Sequence, residues 1–114
     1  MSAITAHVLD VSKGRPAMGL TVLLHILAGP EDWLELGRGQ TDNDGRVRSL
    51  LSAGTTVKPG TYRLTFETGA FFQAAFAESF FPRVEVQFAV TDAGQHYHIP
   101  LLISPFGYTT YRGT

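Results

Sequence analysis

An all-β sandwich is the fold class this sequence predicts, and three observations predict it. Short runs of β-branched and aromatic residues recur along the chain, bounded by Gly, Pro, Asn and Asp. Two of these runs, Thr61 to Thr68 and Arg83 to Val90, alternate apolar and polar side chains with a period of two. A single stretch, Phe71 to Ser79, changes to helical spacing. The sum is about eight short strands and one short helix, which fits two antiparallel sheets packed face to face over Val, Leu, Ile and Phe.

Ala3 to Asp10 is the first strand, with His7 on the same face as Thr5 and Leu9 because side chains alternate. Lys13-Gly14-Arg15-Pro16 ends it with turn residues. Leu20 to Leu27 is apolar on both faces and stops at Gly29-Pro30. Trp33 to Gln40 is a third, glycine-interrupted strand. Thr41-Asp42-Asn43-Asp44-Gly45 is a tight turn, since Asx side chains bond their own backbone and Gly45 tolerates positive φ. Arg46 to Leu50 forms a short strand, and 52–60 is loop. In the next strand Tyr62, Leu64 and Phe66 point one way, with Thr61, Arg63, Thr65 and Glu67 opposite. Phe72, Ala75 and Phe76 mark the helix. Val84, Val86, Phe88 and Val90 face inward on the following strand, and Thr91-Asp92-Ala93-Gly94 turns the chain. His96 to Thr114 gives two strands joined at Ser104-Pro105-Phe106-Gly107. The β-forming pattern runs to within a few residues of Thr114, which predicts that this end is placed for a purpose rather than frayed.

The totals narrow the function classes. The 114 residues suit one domain, 1–114, large enough for a core without staples. A net charge of -1 argues against nucleic acid or an anionic membrane as partner. With no cysteine there is no disulfide framework and no thiolate metal site. Residues 1–10 lack the basic start and apolar run of a signal peptide, and no stretch approaches a membrane span. The expectation is a cytoplasmic protein.

Four motifs then resemble the transthyretin-like proteins. They are His7-Val8-Leu9-Asp10 followed by Gly14-Arg15-Pro16-Ala17, Thr41-Asp42-Asn43-Asp44-Gly45-Arg46, His96 through Pro105, and Tyr111-Arg112-Gly113-Thr114. The last is similar to the C-terminal tetrapeptide of one branch, the 5-hydroxyisourate hydrolases, which usually ends Tyr-Arg-Gly-Ser. Each motif is weak alone; together, in order and at the expected spacing, they span essentially the whole chain. The resemblance implies a sandwich of two four-stranded sheets with one short helix. It implies that the strands carrying Arg46, His7 and His98 are neighbours. It also implies a homotetramer, a dimer of dimers, with sites in a channel where dimers meet.

The implied reaction opens the ring of 5-hydroxyisourate, a purine-derived product of urate oxidation, to a ureido-imidazoline carboxylate. Water attacks a ring carbonyl and an amide bond breaks, with no cofactor and no metal. Such a hydrolysis needs a base for water and a group to hold the developing oxyanion. His7 and His98 are the candidate acid/base pair, because imidazole titrates near neutrality. Arg46 is the candidate for polarising the substrate, because its planar fork stays charged. Tyr111, Arg112, Gly113 and Thr114 are the candidate substrate-binding residues: a wall, a charge, a close backbone approach and a hydroxyl. Thr114 keeps the hydroxyl of the usual Ser and adds a methyl.

Blander readings compete. A histidine in a strand is more often a satisfied structural residue; His25 is read that way, and His96 as a rim residue. Arg48 shares a face with Arg46 and competes for its role. His96-Tyr97-His98 could be half of a metal site, but no carboxylate partner accompanies it. Asp42-Asn43-Asp44-Gly45 resembles a fragment of a calcium loop, but Gln40 holds the first ligand position and no glutamate closes it. The runner-up function is a transthyretin-like carrier of a small aromatic ligand. That branch lacks the His, Arg and His set and has a small residue where Tyr111 stands. A third reading, an interaction sandwich using its edge strand, requires none of these residues.

Overall fold

Alternation in β1 (Ile4–Asp10) divides the chain between core and site. Ile4, Ala6, Val8 and Asp10 are buried, while Thr5, His7 and Leu9 are half-buried on the opposite face. The computed structural model describes residues 3–52 and 54–114. Met1, Ser2 and Ala53 lie outside them, and with Ala53 one position of the loop expected over 52–60. After β1 come β2 (Arg15–Pro16), β3 (Thr21–Leu27), β4 (Trp33–Gln40), β5 (Arg46–Val47) and β6 (Gly60–Phe66). Then follow α1 (Thr68–Ala74), β7 (Val84–Val90), β8 (Tyr97–Ser104) and β9 (Gly107–Thr110).

One sheet runs β4-β3-β6-β7, antiparallel throughout. In the other, β8 lies between β1, to which it is parallel, and β9, to which it is antiparallel. The free edge of β1 is shared end to end: β2 pairs with Leu9 and Asp10, and β5 with Ala6 and His7. Five strands therefore fill four ladder positions, and the two-layer sandwich has the expected form. One buried cluster draws on both layers, with Ile4 and Val8 of β1, Val22 and Leu24 of β3, Leu64 and Phe66 of β6, and Leu101 and Ile103 of β8. Burying each aliphatic or aromatic side chain contributes roughly 1.5–3 kcal/mol. Tyr62 is buried with them at no polar cost, because its hydroxyl donates to the Lys58 carbonyl at 2.7 Å and accepts the Lys58 N–H at 3.1 Å. Among the described residues, no helix is long and apolar enough to cross a membrane.

Three expectations are corrected. Arg15 and Pro16 are not turn residues: the turn lies over 11–14 and the chain returns to pair with β1. Proline is tolerated there because the position is an edge. The strand expected over Arg46 to Leu50 is only Arg46–Val47. Beyond it the chain leaves the sheet, buries Leu50, and reaches β4, where Ser52 donates its N–H and hydroxyl to the Leu36 carbonyl. The helix is Thr68–Ala74 rather than Phe71 to Ser79. Phe76 takes a φ of 59°, and the N–H groups of Phe76 and Ala77 bond the carbonyls of Gln73 and Phe72. That is a Schellman ending with phenylalanine where glycine is usual. Phe76 is 99% exposed.

Candidate active site

Strand register assembles the predicted polar set. On one side of β1, His7 pairs with Arg46 of β5; on the other, Thr5 faces His98 of β8. All of these side chains belong to the half-buried face, away from the core. The rings of His7 and His98 lie 6.4 Å apart, centre to centre, at 33°. His96 lies 6.4 Å from His98, its ring inclined by 15°. Over this row opens a cavity of about 510 Å³ lined by Thr5, Ala6, Arg46, Arg48, Ser49, His96, His98 and Thr114. That volume is of the size that holds a small ligand.

The turn before β5 aims Arg46. Asp42 Oδ1 accepts the N–H groups of Asp44 and Arg46 at 2.9 and 3.0 Å. The bond from the Arg46 N–H contributes most, and with the Asp44 N–H and the nearby Arg48 it holds the Asp42 carboxyl below the usual range. Gly45 has a φ of 77°, and a Cβ on it would meet the Val8 carbonyl oxygen at 2.3 Å. Glycine is therefore required twice over where the turn meets β1. The two arginines differ in availability. Arg48 faces Asp42 at 3.5 Å and Asp44 at 3.8 Å, whereas Arg46 has no carboxylate partner among the described residues. Arg46 thus lines the cavity as a cation without an ion pair among the described residues.

The two histidines are held differently. His7 Nε2–H donates to the Asp44 carbonyl at 2.9 Å, and His7 is not among the cavity-lining residues. His98 bonds Thr5 Oγ1 through Nδ1 at 2.8 Å, which leaves Nε2 without a protein partner among the described residues. Burial first, then the charges of Arg46, His7 and His96, press the His98 pKa below its ordinary 6.5. That lowering favours the neutral imidazole, the form a general base needs.

The tail is divided between two cavities. Thr114 lines the site with Arg46 and His98. Gly113 N–H donates to the His98 carbonyl at 2.8 Å, and a Cβ on Gly113 would meet His98 Cδ2 at 2.7 Å. Tyr111 and Arg112 instead line a second cavity of about 330 Å³, beside Tyr97 and the β7 edge. There the Arg112 guanidinium stands 4.6 Å over the Tyr97 ring and donates to Gln95 Oε1 at 2.8 Å. His25 lines neither cavity; it stands on β3 opposite Arg63 and Glu35. Thr5 and Ser49 were missed from sequence. Alternation places Thr5 beside His7, which was the available signal; Ser49 depends on the chain leaving the sheet after Val47, which no local pattern shows. Among the described residues there is no cluster of three or more His, Asp or Glu suited to a metal ion.

Comparison with known proteins places this geometry in context. Residues 4–113 match the HIUase/Transthyretin family. The chain is 46% identical to the 5-hydroxyisourate hydrolase of Mus musculus over 114 residues, covering 99% of this chain and 96% of that one. The structure of Klebsiella pneumoniae 5-hydroxyisourate hydrolase superposes with a TM-score of 0.83 at 40% identity, covering 97% of this chain and 98% of that one. Sea bream transthyretin, solved in complex with thyroxine, superposes with a TM-score of 0.91 at 29% identity, covering 99% of this chain and 96% of that one. The carrier is thus at least as similar in backbone, and the hydrolases are more similar in residues.

Proposed function

The chain belongs to the HIUase/Transthyretin family, and on that premise we propose that it hydrolyses 5-hydroxyisourate with His98 as base and Arg46 as oxyanion holder. The observation that carries this reading is His98 Nε2, without a protein partner among the described residues, in the same cavity as Arg46, which has no carboxylate partner among them. His98 Nε2 takes a proton from water, and the hydroxide adds to a ring carbonyl. Arg46 stabilises the negative charge that develops on the carbonyl oxygen. The ring C–N bond then breaks, and the departing nitrogen receives a proton, so that one water is added overall. His7, anchored to Asp44, supplies a second imidazole 6.4 Å from the first. Thr114 offers a hydroxyl to the substrate, and Gly113 keeps the His98 ring in place.

Backbone likeness does not separate this reading from a carrier, because one fold serves both. The charged cavity and the 46% and 40% identities to hydrolases favour the enzyme. The direct test generates 5-hydroxyisourate in place and follows its ultraviolet absorbance. Loss faster than spontaneous decay, in proportion to protein, is the expected result; the spontaneous rate alone rejects the enzyme. A Gly113→Ala variant in the same assay is expected to lose about tenfold in turnover while unfolding normally, since a displaced His98 ring spoils alignment.

Assembly as a homotetramer is part of the same proposal. β7 and β9 are outer strands of their sheets, and such edges invite pairing with another copy. Phe106 and Tyr108 beside the β9 edge are exposed apolar surface, 64% and 44% accessible. Light scattering is expected to return four times the 12.4 kDa chain mass; a monomer rejects it.

A further inference from the structure

We propose that Thr5 is a positioning residue that decides which nitrogen of His98 carries the proton, and that His96 sets the direction of the Thr5 hydroxyl. The inference rests on the reading of His98 as the base. The parallel ladder puts Thr5 directly opposite His98. The Thr5 oxygen lies 2.8 Å from His98 Nδ1 and 3.1 Å from His96 Nε2. These are its polar partners among the described residues. The two imidazoles do not bond each other; they share one hydroxyl.

A hydroxyl has one proton to give. When Thr5 donates to His96 Nε2, it accepts from His98 Nδ1–H. Nε2 of His98 then presents a lone pair to the cavity, as a base requires. When His96 donates through Nε2–H, the Thr5 hydrogen turns to His98 Nδ1. His98 then carries its proton on Nε2 and faces the cavity as a donor. If both imidazoles donate, the Thr5 hydrogen has no acceptor among the described residues, so that arrangement is disfavoured. The tautomer of His96 therefore selects the tautomer of His98 through the one shared hydroxyl. The cationic and titratable groups around this relay are Arg46 and Arg48 across the cavity, His7 on β1, and Arg112, held by the Gln95 side chain next to His96.

The test compares Thr5→Val, Thr5→Ser, His96→Gln and His98→Ala in the 5-hydroxyisourate assay across roughly pH 5 to 8. Long-range proton–nitrogen NMR of the resting protein reads the tautomer of His98. Thr5→Val keeps the shape and removes the hydroxyl. Its kcat is expected to fall roughly 10–100-fold with little change in KM. Its NMR spectrum is expected to shift from the Nδ1–H form towards a mixture. Thr5→Ser restores most of the lost turnover. His96→Gln, which removes the imidazole that directs the Thr5 hydrogen, is expected to lower kcat and to shift the His98 tautomer in the same sense as Thr5→Val. A Thr5→Val protein with the parent's kcat, pH profile and tautomer overturns the proposal. Should Thr5→Val fail to fold, a His96→Gln protein with the parent's kcat and His98 tautomer overturns it instead. Full activity in His98→Ala, by contrast, overturns the underlying assignment of the base.

Discussion

His98→Ala is expected to fold, assemble as the parent does, and lose about 10³-fold in kcat/KM on 5-hydroxyisourate, the middle of the range for a missing general base. Folding survives because His98 is half-buried on the outer face, while Tyr97 and Ile99 beside it hold the core side of β8. The backbone bond from Gly113 to the His98 carbonyl needs no imidazole. Urea unfolding alongside the assay separates lost chemistry from lost structure. Full turnover in this variant would move the base elsewhere, and His7 is the next imidazole. Imidazole added to the medium offers a further check, since the truncated site leaves room for it beside Arg46.

The pH profile carries the same assignment in another form. His98 has its pKa lowered from 6.5 by burial and by the cations around it. A base with a lowered pKa stays unprotonated further into acid. The acid limb of kcat/KM therefore lies below pH 6.5, and activity holds level from there through neutrality. An acid limb centred above pH 6.5 would mean that the essential base is not His98 in this setting.

Much of this site was legible before any coordinates, and the reasons are local. Alternation in β1 set Thr5, His7 and Leu9 against the buried Ile4, Ala6 and Val8, as found. The Asx turn at Thr41 to Gly45 was readable because Asp42 makes its bonds within four residues. That Arg46, His7 and His98 are neighbours came from the family resemblance, since pairing partners 39 and 93 residues apart leave no local trace. Other features were hidden by long-range packing. The helix ran past Ala74 in the periodicity because no glycine marks its end; Phe76 takes the left-handed position instead. β5 stops at Val47 because Leu50 is drawn into the core and Ser52 onto β4. The separation of Tyr111 and Arg112 from Thr114 followed from the bridge of Gly113 to His98, which turns the tail between two cavities.

That crossing from β5 to β4 sets the second large effect, in stability. Gly37→Ala is expected to cost about 3 kcal/mol, the upper end for overpacking. Gly37 does not have a positive φ, so backbone strain is not the reason. Space is the reason: a Cβ there would lie 1.6 Å from the Leu50 carbonyl oxygen and 2.8 Å from its carbon. Those are backbone atoms, and no rotamer change can relieve the contact. Either β4 bends outward or the 50–52 segment lifts. Lifting it exposes Leu50, now 1% accessible, and forfeits roughly 1.5–3 kcal/mol of burial. It also moves the chain that carries Arg48 and Ser49 into the cavity. Gly14→Ala is the control: its glycine has a φ of 65° but open space around it, so it pays for conformation alone. Urea midpoints are expected to order as parent, Gly14→Ala, then Gly37→Ala. In the surviving folded fraction of Gly37→Ala, KM is expected to rise before kcat falls, because the displaced segment lines the cavity while His98 stands on β8. A Gly37→Ala protein as stable as the parent would mean that the 50–52 segment does not pack on β4, and with it the placement of Arg48 and Ser49 would fall.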